Sequence, residues 1–291
     1  MFRGTTVAIV TPFDKDGKVD EKAFLKLCEF HKANKTSAIL IGGTTGESPT
    51  LSDDELFRLF KIAVENYKNK IPLLAGTGTN DTRKTLKKTL MAKEAGMDAA
   101  LVVTPYYNKP PQESLFEHYA YIAKKGRLPV VIYNVPCRTG VNIAPETVGR
   151  LSKIPGIIGI KEATGSMTHA VEIKNLVADN FLMLSGDDLT ALPFMATGGH
   201  GVISVTANIV PDKVQKVLDL YNENKNKEAV KLANKLYPLH KAMFITTNPI
   251  PVKTAVFLMG MIKNEFRMPL TRMNAQDTDK LRNVLINKDV L

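Results

Sequence analysis

The stretch GIIGIKEATG, residues 156–165, places Lys161 among three isoleucines and three glycines. A run this apolar reads as a buried strand, where an ammonium is costly unless it is paired or gives up its proton. An amine kept neutral near pH 7 attacks ketones and aldehydes, and the resulting Schiff base acts as an electron sink. The blander reading pairs Lys161 with Glu162. Successive strand residues face opposite sides, so those two do not easily share one pocket. Lys161 is the candidate nucleophile.

Other residues could assist it. Tyr133, in VVIYNVP, carries a phenol that can relay a proton to or from a carbonyl oxygen; alternatively its ring simply packs. Arg138, in PCRTG, has a bidentate fork suited to a carboxylate, although exposed arginines are common. In IGGTTGE (41–47) two glycines permit a tight turn close to a ligand, and Thr44 and Thr45 offer hydroxyls and N–H groups to a carboxylate. The turn lacks a P-loop lysine, which argues against nucleotide binding. Tyr106 and Tyr107, in TPYYNKPP, sit on a loop stiffened by prolines, and either a ligand or subunit contact or plain packing fits them. The five histidines show no metal-ligand spacing, and Cys28 and Cys137 form neither a disulfide framework nor a metal site. No Ser-His-Asp or Cys-His arrangement and no cofactor motif is legible.

These residues need a frame. Eight short apolar runs recur: VAIV (7–10), AILIGG (38–43), IPLLAGTG (71–78), AALVVTPYY (99–107), PVVIYNVP (129–136), GIIGIKEA (156–163), FLMLSGDD (181–188) and HGVISVTAN (200–208). Amphipathic helical patterns lie between them. After the second run, Ser52 and Glu55 make a capping box, and Leu56, Leu59, Phe60, Ala63, Val64 and Tyr67 form one face. Repeated βα units with strands buried on both sides predict a closed parallel (β/α)8 TIM barrel. An open doubly wound sheet is disfavoured because no G-x-G-x-x-G follows the first strand. From residue 211 onward the pattern reads as entirely helical, more than an eighth helix requires. The expected division is a barrel over 1–225 and a helical C-terminal extension over 226–291. In such barrels the loops after the strands build the site. That filter selects Thr11, residues 42–47, Thr104 to Asn108, Tyr133, Asn134, Arg138, Lys161, Glu162, Asp187, Asp188 and Ser204 to Thr206.

Composition narrows the class without naming the chemistry. The chain has 291 residues, 44% hydrophobic and 23% charged, as globular domains do. The formal net charge of +10 comes from scattered lysines and arginines rather than a basic patch interleaved with aromatics, which argues against a nucleic-acid scaffold. No apolar run approaches the roughly 20 residues of a membrane span. The N-terminal MFRGTTVAIVTPFDKDG breaks at Pro12 and reads as no targeting segment, so a cytoplasmic protein is expected.

The motifs GGTTGE (42–47), TPYYNKPPQE (104–113), YNVPCRTG (133–140), GIKEATG (159–165), LSGDD (184–188), GVISVTAN (201–208) and NPIPVK (248–253) together resemble dihydrodipicolinate synthase across essentially the whole chain. GxTGE and the strand-six lysine are shared more widely, by pyruvate-dependent class I aldolases. The resemblance implies a homotetramer of tight dimers that condenses pyruvate with L-aspartate-4-semialdehyde, with no metal or organic cofactor. It implies a Schiff base at Lys161 and a proton relay of Thr44, Tyr133 and Tyr107, the last from the neighbouring subunit. Thr45 would hold the pyruvate carboxylate, Arg138 the semialdehyde carboxylate, and Gly186 and Ile203 would give backbone contacts. In lysine-inhibited relatives a feedback site carries histidines and a glutamate. Here Asp53, Leu56 and Lys84 stand in their place beside family-like Ser48, Asn80 and Tyr106, so weak or absent inhibition by L-lysine is expected. Two alternatives fit these residues less well: an N-acetylneuraminate lyase or keto-deoxy-sugar-acid aldolase, relatives that typically lack GGTTGE, TPYYNKPP and the arginine after YNVP together, and a catalytically inactive keto-acid-binding barrel, which would need Lys161 or Tyr133 to be lost.

Overall fold

A computed structural model describes residues Met1–Leu291. The strands are β1 (Gly4–Ala8), β2 (Ala38–Ile41), β3 (Leu73–Gly76), β4 (Ala99–Val103), β5 (Val130–Asn134), β6 (Ile157–Glu162), β7 (Leu182–Ser185) and β8 (Gly201–Ser204). All neighbouring pairs are parallel, and β8 pairs with β1, so the sheet closes into a barrel in chain order. The connecting helices are α1 (Glu21–Ala33), α2 (Asp53–Tyr67), α3 (Thr82–Ala95), α4 (Gln112–Gly126), α5 (Pro136–Thr139), α6 (Pro145–Leu151), α7 (Met167–Leu176), α8 (Ala191–Ala196) and α9 (Pro211–Asn222). Three more follow: α10 (Asn226–Ala242), α11 (Ile250–Leu258) and α12 (Ala275–Ile286). No helix is long and apolar enough to cross a membrane.

Strand alternation sorts the side chains into two layers. Outward-facing residues join the helices in one large core, and a smaller inner layer (Leu40, Leu101, Val131 and Leu184 among others) fills the barrel. The predicted capping box on α2 is present, with Ser52 Oγ accepting from Glu55 N and Glu55 Oε2 from Ser52 N. Ile62 joins the buried face of α2, while Val64 is only partly covered.

The C-terminal region is not entirely helical. Residues 259–274 run as turns and coil between α11 and α12, because Gly260 turns at φ +74° and Pro269 cannot continue a helix. Leu236, Val252, Ala255, Leu281 and Leu285 belong to the same large core as the barrel helices. The extension is therefore packed on the barrel and builds no separate core.

Candidate active site

Lys161 reaches the barrel mouth through a detail invisible in the sequence. The β5–β6 register skips Ile158, pairing Val130 with Ile157 and then Val131 with Gly159. Such an irregularity re-aims the residues beyond it. The skipped Ile158 packs against the inner layer, as Ala163 does beyond it, while Lys161 lines the cavity that opens above that layer. Glu162 points outward, where its carboxylate accepts from Asn134 Nδ2 at 2.9 Å and Thr164 N at 2.6 Å. The pairing of Lys161 with Glu162 is thus absent.

The cavity has a volume of about 230 Å³ and lies over the C-terminal ends of the strands. Thr44, Thr45, Tyr133, Arg138, Lys161 and Gly186 all line it. In register, Tyr133 sits beside Lys161, and the ammonium position is 4.2 Å from the centre of the tyrosine ring. Burial pushes Lys161 down to about 7; Asp188 pulls it up and Arg138 pushes it further down. Burial also pushes the Tyr133 phenol up to about 12, against the pull of Arg138 and of a hydrogen bond from Thr44. The pair therefore combines an amine available as a nucleophile with a phenol that keeps its proton. Gly186 leaves room for the lysine, since an added Cβ would sit 3.0 Å from Lys161 Cε and 2.5 Å from Ala163 Cβ.

The threonines hang from a short 3-10 turn, Thr44–Gly46, entered through Gly42 at φ +68°. A Cβ at Gly42 would meet Leu56 Cδ1 at 2.5 Å, so glycine is needed there on both counts. Thr11 Oγ1 donates to Gly46 O at 2.7 Å and holds the turn from below. Asp188 lies behind the wall: its carboxylate accepts from Ser204 Oγ, Val205 N and Thr206 N. It fixes the loop after β8, and Asp187 is the member of that pair that lines the cavity.

Some expected residues lie elsewhere. Ile203 is packed in the inner layer, and Val205 lines the cavity at that strand end. Tyr107 does not line its own chain's cavity; it stands 87% exposed at φ +74°, with its backbone N–H on Thr139 O. Of the six residues expected at a regulatory site, Ser48 and Tyr106 line a neighbouring recess of about 220 Å³ that shares Thr44 and Arg138 with the main cavity. Leu56 is fully buried under Gly42 and cannot face a ligand. Asp53 is held by Lys87 at 2.6 Å and Lys88 at 3.7 Å. Lys84 is exposed at the start of α3, and Asn80 uses its carbonyl to accept from Asn108. Beside Arg138, the cation lining the recess is Lys88, which the sequence did not single out.

Asn248 was also missed as a site residue. Its Nδ2 donates to Thr45 Oγ1 at 3.1 Å, and its carbonyl accepts from Arg138 Nη2 at 3.1 Å. Its signal was the NPIPVK motif, whose polar ends flank a proline break. No histidine lines the cavity, and no cluster of three or more His, Cys, Asp or Glu is placed to hold a metal ion.

Comparison with known proteins identifies what this arrangement is similar to. A model of the Dihydrodipicolinate synthetase family matches residues 1–288. A curated 4-hydroxy-tetrahydrodipicolinate synthase from Thermodesulfovibrio yellowstonii is 52% identical over 285 residues, 98% of each chain. One from Citrifermentans bemidjiense is 50% identical with the same coverage. Among solved structures, dihydrodipicolinate synthase from Aquifex aeolicus superposes with a TM-score of 0.97 at 44% identity, covering 99% of each chain. The chloride-inhibited enzyme from Acinetobacter baumannii, complexed with pyruvate, gives 0.98 at 44% identity over 100% of both. The chain belongs to the dihydrodipicolinate synthetase family.

Proposed function

We propose, with family membership as the premise, that this chain is a 4-hydroxy-tetrahydrodipicolinate synthase. It condenses pyruvate with L-aspartate-4-semialdehyde on the way to diaminopimelate and lysine. The observation that carries the reading is the buried Lys161 amine, lowered to about 7, beside Tyr133 in a cavity rimmed by Thr44, Thr45 and Arg138.

The chemistry follows from those groups. Neutral Lys161 Nζ attacks the ketone carbon of pyruvate, and loss of water gives an imine. The imine acidifies the methyl group, whose proton leaves to form an enamine. That carbon attacks the aldehyde of the second substrate, and the new alkoxide takes a proton from the relay of Tyr133 and Thr44. The substrate's amine then attacks the imine carbon, closing the ring and releasing Lys161. One water is lost overall, which makes the enzyme a carbon–oxygen hydro-lyase. Thr45 holds the pyruvate carboxylate, Gly186 lies against the keto acid with Ile203 behind it, and Arg138 holds the semialdehyde carboxylate. No organic or metal cofactor takes part.

Tyr107 completes the relay in a tight dimer, two of which form a homotetramer; its exposure, and its not lining its own chain's cavity, support a role in the neighbour's site. The protein acts in the cytoplasm, with residues 1–225 as the catalytic barrel and 226–291 as a mainly helical extension packed on it. Inhibition by L-lysine is weak or absent, because Lys88 brings an ammonium to the recess and Asp53 is already engaged by lysines. A rate halved by millimolar L-lysine would contradict this.

The deciding assay mixes purified protein with pyruvate and aspartate semialdehyde and couples the cyclic product to its reduction. Turnover lost in Lys161→Ala, together with loss of a borohydride-trapped pyruvate adduct, is expected. Cleavage of N-acetylneuraminate or a keto-deoxy sugar acid, without condensation, would reassign the aldehyde partner.

A further inference from the structure

Lys253 lies on α11 within the apolar sequence IPVKTAVFL and is fully buried. Its Nζ donates to Glu47 Oε1 and sits 4.0 Å from the ring centre of Phe13 and 5.0 Å from that of Phe266. The other oxygen of Glu47 accepts from the backbone N–H of Arg267 at 3.2 Å. Arg267 in turn donates to Glu55 and to the carbonyls of Gly17 and Thr50. Lys253, Glu47 and Arg267 do not line the cavity. A buried ion pair is weak evidence for stability, since desolvation offsets much of the attraction. Its place in the fold suggests a different task.

Glu47 is the residue at which the chain leaves the Thr44–Gly46 turn, in a left-handed conformation at φ +54°. Its backbone N–H donates to Thr44 O at 3.1 Å. Fixing the Glu47 carboxylate therefore fixes a tight turn whose other residues are Thr44 and Thr45. The same C-terminal segment reaches the turn a second time, because Asn248 donates to Thr45 Oγ1 and accepts from Arg138. Residues 248–253 thus hold the turn from its side-chain face and from its exit, and tie it to the arginine.

We propose that Asn248 and Lys253 are positioning residues for the keto-acid site, and that the C-terminal extension acts as a strut setting the Thr44 and Thr45 hydroxyls. The inference rests on the reading of Thr45 as the group that holds the pyruvate carboxylate. A strut of this kind acts on binding and orientation of pyruvate while leaving the Lys161 amine in place.

The test is a double-mutant cycle on the full chain with Asn248→Ala, Thr45→Val and both together, alongside Lys253→Met. Pyruvate KM, kcat and the borohydride-trapped adduct at saturating pyruvate are measured. Each single change at 45 or 248 is expected to raise pyruvate KM by about tenfold, the effect of one lost hydrogen bond. The double variant should be no worse than the poorer single one, since both act through one hydroxyl. Lys253→Met should raise pyruvate KM while adduct formation at saturation stays stoichiometric, which a merely unfolded fraction would not allow. An unchanged KM in Asn248→Ala, or full additivity with Thr45→Val, would overturn the inference. If Lys253→Met does not fold, the cycle at 45 and 248 decides alone. An unaffected Thr45→Val would instead remove the role assigned to Thr45, and the inference with it.

Discussion

Replacing Lys161 with methionine should abolish condensation and yet stabilise the folded protein at pH 6. The side chain is almost fully buried and has no hydrogen-bonded counter-charge. Below pH 7 the amine is protonated in both folded and unfolded chains, and the fold bears the full cost of burying it. Between pH 7 and 10.5 the unfolded chain keeps the proton while the folded one sheds it, so parent stability rises with pH across that window. Above 10.5 both forms are neutral and the cost vanishes. Lowering the amine from 10.5 to about 7 corresponds to about 5 kcal/mol at about 1.4 kcal/mol per pH unit. Methionine fills similar volume without the charge. For a chain of this size about 1 kcal/mol moves Tm by roughly 2 °C, so even half the effect is several degrees. Unfolding of parent and Lys161→Met, at equal protein concentration from pH 6 to 10, measures it. The gap should be widest at pH 6 and close toward pH 10. A variant that is less stable at pH 6, or a gap that ignores pH, would refute the reasoning that desolvation keeps this amine neutral.

The same amine predicts an acid limb in kcat/KM for pyruvate near pH 7, with activity rising as Lys161 loses its proton; a limb near 10 would show an unperturbed lysine. Tyr133→Phe should lower kcat by about 10²–10⁴ as loss of a general acid–base, while the trapped pyruvate adduct still forms. Gly186→Ala should cost activity, because the new Cβ falls 3.0 Å from Lys161 Cε; a kinetically silent variant would mean that the loop gives way. Mixing inactive Tyr107→Phe with inactive Lys161→Ala subunits should restore some turnover if Tyr107 serves a neighbour's site, and none if each chain works alone.

The barrel was legible because the strands are short apolar runs and the longer helices between them are amphipathic, patterns set by local geometry. Lys161 was legible for the same reason, a charge standing out against isoleucines. The skipped residue at Ile158 was not, since a register irregularity depends on the partner strand. Nor were Asn248 and Lys88, which reach their cavities only through tertiary packing. Leu56 was misplaced by the resemblance, although the periodicity of α2 already set it on the buried face, where it packs under Gly42. The coil of residues 259–274 was overlooked among apolar residues that pack without forming a helix.

Two buried lysines with opposite surroundings show how one residue type is put to different uses. Both lie in apolar segments and both are lowered by burial, Lys161 to about 7 and Lys253 to about 8. Lys253 meets Glu47 and two aromatic faces, so at pH 7 it keeps its proton and serves as a fixed cation. Lys161 lies over one tyrosine ring, with Asp188 occupied by Ser204 and two backbone N–H groups and Glu162 facing the other way. Had the chain offered either carboxylate to Lys161 as a direct partner, the ammonium would be held and the nucleophile lost. Strand alternation turns Glu162 outward, and the loop after β8 engages Asp188. Reactivity at Lys161 therefore depends on where the neighbouring carboxylates are directed as much as on burial itself.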